Sequence, residues 1–101
     1  MAVGSQISKI ALAAFALLLS TAPAAADVKA GVDAWSRGEY EAAIKQWREP
    51  ALKGDADAQF NMGQAYKMGR GVKADLNIAL DWYKKAAAQG HLQAADSYGH
   101  L

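Results

Sequence analysis

The sequence predicts an all-α fold, a short αα-solenoid of stacked helix pairs, and three observations carry that expectation. The chain partly repeats itself at a spacing of 36 residues: Ala43, Ala51, Gly54, Ala58 and Gly63 align with Ala79, Ala87, Gly90, Ala94 and Gly99. Ile44, Trp47 and Arg48 align in the same way with Leu80, Tyr83 and Lys84. Apolar residues recur at helical spacing, and glycines punctuate the segments between them. What repeats is mostly small or apolar, as helix-on-helix packing requires; the polar groups at fixed spacing that chemistry requires do not repeat.

Taken in order, the first expected helix is Val28 to Arg37, with Val28, Val32 and Trp35 on one apolar side and a turn at Gly38. The second runs from about Glu39 to Lys53, with Tyr40, Ala43, Ile44 and Trp47 at helical spacing. Pro50 removes an amide donor and crowds the carbonyl of Gln46, which predicts a kink or an early change of direction there. Gly54 permits the exit from this helix, and either Asp55 or Asp57 can cap the next, about Ala58 to Met68. Gly63 inside that helix costs about 1 kcal/mol against alanine, which points to close approach by a neighbouring helix. After the loop Gly69-Arg70-Gly71-Val72, whose valine can fold back onto the core, Asp75 caps a helix from Leu76 to Gln89 that Gly90 stops. One further helix begins in the segment His91 to His100.

The start of the chain reads as a secretory signal peptide, residues 1–26. Lys9 supplies the positive start, Ile10 to Leu19 a short apolar run, and Ala24-Ala25-Ala26 the small residues before Asp27. The run is too short to cross a bilayer of about 30 Å comfortably. Cleavage after Ala26 would leave no stable membrane span and a periplasmic or secreted location is expected, the alternative being a retained membrane anchor. The processed segment, residues 27–101, holds ten acidic residues and ten basic ones, the chain's eleven less Lys9. That balance offers no excess of Lys and Arg, so nucleic-acid binding is not expected. There is no cysteine, which excludes disulfides, thiolate metal sites and a nucleophilic thiol together.

The residues Ala58-Gln59-Phe60-Asn61-Met62-Gly63, Tyr66, Gly69-Arg70-Gly71-Val72, Asp75, Ala79, Trp82-Tyr83, Lys85-Ala86-Ala87, Gln89-Gly90 and Ala94 form an ordered signature. It resembles the Sel1-like repeats, relatives of the tetratricopeptide repeats with a longer turn inside the helix pair. Upstream, Trp35, Gly38, Tyr40, Ala43, Ile44 and Trp47 look like a preceding unit without the longer glycine turn. Two departures stand out: Pro50 occupies the position of Ala86, and the last repeat is incomplete, stopping before its second helix. The resemblance implies a protein- or peptide-binding adaptor or scaffold, often exported in bacteria and sometimes found near cell-envelope machinery or in host interaction, with neither catalytic residue nor cofactor. It names no partner, because packing residues define the repeat and the variable surface defines what is bound.

Four residues are candidates for partner binding. Arg70, held between two glycines, can offer a forked guanidinium to a carboxylate, the competing use being solvent or an ion pair with Asp75. Trp82 and Tyr83 point about 100° apart, so one of them, Tyr83 by its match to Trp47, belongs to the interface and Trp82 is the one that can reach outward. Tyr98 and Leu101 lie on the last helix, whose apolar side has no second helix to cover it. No metal site is expected, since His91 and His100 lack ligands at suitable spacing. Asp96, Ser97 and His100, crowded on one terminal turn, cannot supply the separate acid, base and oxyanion groups of a hydrolase. The expected function is therefore an exported, non-catalytic protein- or peptide-binding scaffold of the bacterial envelope. The alternative is a structural subunit that self-assembles through its incomplete terminal repeat.

Overall fold

Caps and turns divide the chain into five helices in the computed structural model, which describes residues 24–101. They are α1 (Ala24–Ser36), α2 (Tyr40–Leu52), α3 (Ala56–Met68), α4 (Leu76–Ala88) and α5 (Leu92–Gly99), and each packs on the next. The export signal falls largely on residues 1–23, outside the described residues; α1 spans the expected cleavage point between Ala26 and Asp27.

Helix starts follow side-chain chemistry. Asp55 accepts the Ala58 amide at 2.9 Å and Asp75 accepts the Ile78 amide at 3.1 Å, each satisfying a donor that the first turn leaves free. Asp55 rather than Asp57 is thus the cap, and α3 begins two residues earlier than the apolar pattern suggests. At the position 36 residues after Asp55 the cap is His91, whose Nδ1 accepts the Ala94 amide at 3.1 Å.

Pro50 neither kinks α2 out of its helical assignment nor ends it. The helix continues to Leu52 with Pro50 fully buried. The proline lies in the last turn, so the one helical bond it forgoes, to the Gln46 carbonyl, falls at the end of the helix, and its own carbonyl accepts the Asp55 amide at 2.9 Å. At the aligned position Ala86 is equally buried, so the ring fills space between units that a methyl group fills in the next.

Two apolar clusters form the interior. The first gathers Ala34 of α1, Ala43, Ile44, Trp47 and Ala51 of α2, and Ala58, Met62 and Ala65 of α3. The second gathers Ala79, Tyr83 and Ala86 of α4 with Ala94 of α5, and Tyr66 packs against both. The alanines let helix backbones come close, and the aromatics fill what remains. Gly63 shows the principle: a Cβ there would stand 2.5 Å from Cδ1 and Cε1 of Tyr83. Gly31 of α1 meets Trp47 in the same manner, its added Cβ 2.5 Å from the indole Cδ1. The buried Gln59 joins units, donating to the Ala51 carbonyl at 3.1 Å and accepting from Gln89 at 2.9 Å.

The long turn between α3 and α4 folds back on α2. Gly69 and Gly71 have φ of 69° and 75°, and a Cβ at Gly71 would lie 2.8 Å from the carbonyl carbon and oxygen of Tyr40. Val72 packs against the first cluster, as its place after the glycines suggests.

Candidate protein-binding groove

Helices α1 and α3, separated in sequence by α2, leave a groove of about 160 Å³ between them, floored by Trp47 of α2. Its walls are Val32 and Trp35 on α1, and Phe60, Asn61, Gln64 and Met68 on α3. Helical spacing produces the α3 wall: 60, 61, 64 and 68 lie on one stripe, while Ala58, Met62 and Ala65 turn into the core. Val32 and Met68 are 45% and 44% exposed, so the rim is apolar and open to solvent.

The aromatic floor is fixed by its neighbours. Trp35 packs edge-on against Tyr40 at 4.7 Å and tilted against Trp47 at 5.4 Å. The Trp47 indole N–H donates to the Val28 carbonyl at 3.1 Å, which leaves its ring as an apolar surface. Phe60 lies 5.8 Å from the Tyr83 ring and stacks on His91 at 4.8 Å. With Nδ1 accepting the Ala94 amide, His91 carries its proton on Nε2 and donates it to Asp57 at 3.0 Å. One imidazole thus caps α5, ties it to α3 and backs a wall of the groove.

The polar groups of the groove are carboxamides. Tyr83 donates its hydroxyl to Oε1 of Gln64. Burial pushes the Tyr83 phenol up to about 12, so at neutral pH it holds the proton it donates. The Gln64 carbonyl is thereby engaged and its amide N–H groups remain as donors, beside the donor and acceptor of Asn61. Apolar walls with two carboxamides suit an extended main chain carrying an apolar side chain, since carboxamides match peptide groups without requiring a charge.

The residues singled out from sequence are dispersed around this groove and do not form its walls. Arg70 is exposed, and its guanidinium carbon lies 5.3 Å from the centre of the Tyr40 ring. It does not use Asp75, whose carboxylate caps α4. Trp82 is half-buried against the first cluster with Lys85 Nζ 4.7 Å from its ring centre, and Tyr83 is the fully buried member of the pair. Tyr98 and Leu101 are 43% and 44% exposed, although the aligned Met62 and Ala65 are buried. His100 and Asp96 approach to 3.2 Å on the exposed surface of α5. Among the described residues no helix is long and apolar enough to cross a membrane.

Stacked helix pairs joined by alanine, glycine and aromatic contacts place the chain in the class of αα-repeat proteins. Residues 56–91, which run from the start of α3 to the cap of α5, match the Sel1 repeat. It is 36% identical over 67 residues to an F-box protein of Arabidopsis thaliana, covering 66% of this chain and 18% of that protein. It is 33% identical over 67 residues to HRD3A, an ERAD-associated E3 ubiquitin-protein ligase component of the same plant, covering 65% of this chain and 10% of that one. The DAP3-binding cell death enhancer 1 of Rattus norvegicus is 33% identical over 58 residues, 57% of this chain and 11% of its own length. No solved structure matches the chain. Sel1 repeats mediate protein–protein interaction and are typically non-catalytic scaffolds.

Proposed function

We propose that this protein is an exported, non-catalytic scaffold of the bacterial cell envelope, periplasmic or secreted, which holds a protein or peptide segment in the groove between α1 and α3. The observation that carries the reading is the groove itself: an apolar cleft, open at Val32 and Met68, with the Gln64 amide fixed by Tyr83. The ordered positive, apolar and small-residue features of residues 1–26 support export. Binding proceeds by complementarity, an apolar side chain entering between Trp35 and Phe60 while the carboxamides orient the main chain.

A photo-reactive residue at Met68, followed by capture of the exported form and mass spectrometry, tests this. One reproducible cross-linked partner is expected, and Val32→Glu should remove it while leaving the helical spectrum intact, because Val32 is 45% exposed. Cross-linking that Val32→Glu leaves unchanged would place the binding surface elsewhere. Intact-mass and N-terminal analysis of the same material tests export, with a chain beginning at Asp27 as the expected product.

A further inference from the structure

One imidazole holds the start of α5 in three ways. His91 accepts the Ala94 amide through Nδ1 at 3.1 Å, donates from Nε2 to Asp57 of α3 at 3.0 Å, and stacks on Phe60 at 4.8 Å. The capping bond exists only while Nδ1 keeps its lone pair. The caps of α3 and α4 are the carboxylates of Asp55 and Asp75, which keep an acceptor oxygen in either protonation state. A protonated imidazole keeps none, since both nitrogens then donate, and no flip of the ring restores one.

We propose that His91 is a pH-sensitive latch between α3 and α5: protonation releases the start of α5 and withdraws the ring that backs Phe60 in the groove wall. Imidazoles as a class change charge between about pH 5 and 8. Attraction to Asp57 opposes the release, but that carboxylate is 75% exposed and water screens it, whereas the imidazole is 11% exposed. A charge kept in place would stand, largely dehydrated, against the free amides at the N-terminus of α5, so the capped geometry is what yields. The other charged groups on the packed elements are engaged or turned away. Asp55 caps α3, Lys67 lies in its last turn, and on α4 Lys85 lies over Trp82 while Asp81 and Lys84 are exposed. On α5 itself Asp96 pairs with His100.

The test is a titration of the isotope-labelled protein from about pH 8 to pH 5, followed by nuclear magnetic resonance. At the upper end His91 should be the Nε2–H tautomer. On acidification the Ala94 amide and Phe60 ring signals should shift together with those of His91. Exchange protection at Ala94 and Ala95, corrected for the intrinsic pH dependence of exchange, should fall about fivefold or more, the scale of a lost N-cap. His91→Asn supplies a capping oxygen that does not titrate and should hold that protection constant. His100→Gln removes the other imidazole of α5 and should leave the parent's response in place. Constant protection in the parent, a fall that persists in His91→Asn, or one that vanishes in His100→Gln overturns the proposal. An Nδ1–H tautomer at the upper end overturns it as well, because that nitrogen could not accept the amide.

Discussion

Alanine at position 63 and alanine at position 99 are expected to change stability in opposite directions, although the two glycines are aligned and both helical. At either site alanine improves helix propensity by about 1 kcal/mol, less in a terminal turn. At Gly63 the new Cβ would stand 2.5 Å from two ring carbons of Tyr83. Carbon atoms at optimal separation sit about 3.5–4.0 Å apart, so the helices must part or the ring must move by roughly 1 Å. Tyr83 has little room to yield. It is fully buried, bonded to Gln64 through its hydroxyl and packed 5.8 Å from Phe60, and the clash falls on the side of its ring instead of a free tip. Overpacking of this kind costs about 1–3 kcal/mol, and set against the propensity gain at the upper end of that range it leaves Gly63→Ala destabilised by about 1–2 kcal/mol. Gly99→Ala has no such term, since nothing lies within 4 Å of its added Cβ, and should gain a few tenths of a kcal/mol, up to about 1. Urea unfolding of each variant, followed by far-ultraviolet circular dichroism, reads the difference. If Gly63→Ala proves as stable as the parent, close packing at that glycine is refuted. If both variants shift the same way, the contrast between a glycine covered by a ring and one in open space fails with it.

Other substitutions test separate parts of the structure. Gly71→Ala should cost about 2–4 kcal/mol, because the left-handed backbone costs a non-glycine residue about 1–2 kcal/mol and the added Cβ meets immobile backbone of Tyr40; urea unfolding would refute this by showing a loss under 1 kcal/mol, within the ordinary spread of surface changes. His91→Ala should cost about 1 kcal/mol or more while His91→Asn retains most of the cap, and amide exchange localised to α5 distinguishes them; equal protection in both would deny His91 its capping role. Tyr83 keeps its proton until a pH of about 12 in the fold but ionises near 10 when unfolded, so the unfolded chain loses the proton first and stability falls as pH rises through that window, with no contribution from this group below it. Absorbance titration of the parent against Tyr83→Phe checks the phenol directly, and a difference spectrum with its midpoint near 10 would contradict the burial.

The sequence made the solenoid legible because its signals were local: alternating caps and glycine stops bound each helix, and Gly63 announced a close contact that Tyr83 makes. Gly31 is not legible from the 36-residue repeat, for a definite reason. At the 36-residue spacing it aligns with Lys67, and its true counterpart Gly63 lies 32 residues on. His91 as a cap was equally hidden by its residue type, since Ser, Thr, Asp and Asn dominate that position, yet its alignment with Asp55 was the available signal. The groove was the least legible feature. Val32 and Met68 belong to helices that are not neighbours in sequence, and no periodicity within one helix reports what a second helix two elements away will place opposite it. Arg70 lies exposed on the constrained turn, and its aromatic neighbour Tyr40, which comes from the preceding unit, could not be read from the turn's own residues.

The change of spacing from 32 to 36 residues also explains what the long turn accomplishes. Gly31 meets Trp47 sixteen residues later and Gly63 meets Tyr83 twenty residues later, so the same notch-and-ring contact is made across loops of different length. The difference of four is that between the three residues separating α1 from α2 and the seven separating α3 from α4. Helix-pair packing is therefore held constant, and the extra residues are free for another task. They reach backward: Gly71 sits on the Tyr40 backbone, Val72 enters the first cluster and Arg70 lies over the Tyr40 ring. The α1–α2 unit has no earlier unit among the described residues to reach, and its loop is short. The long glycine turn thus acts between units, joining α3 and α4 to α2 at the end opposite the Gln59 amide that links the same helices.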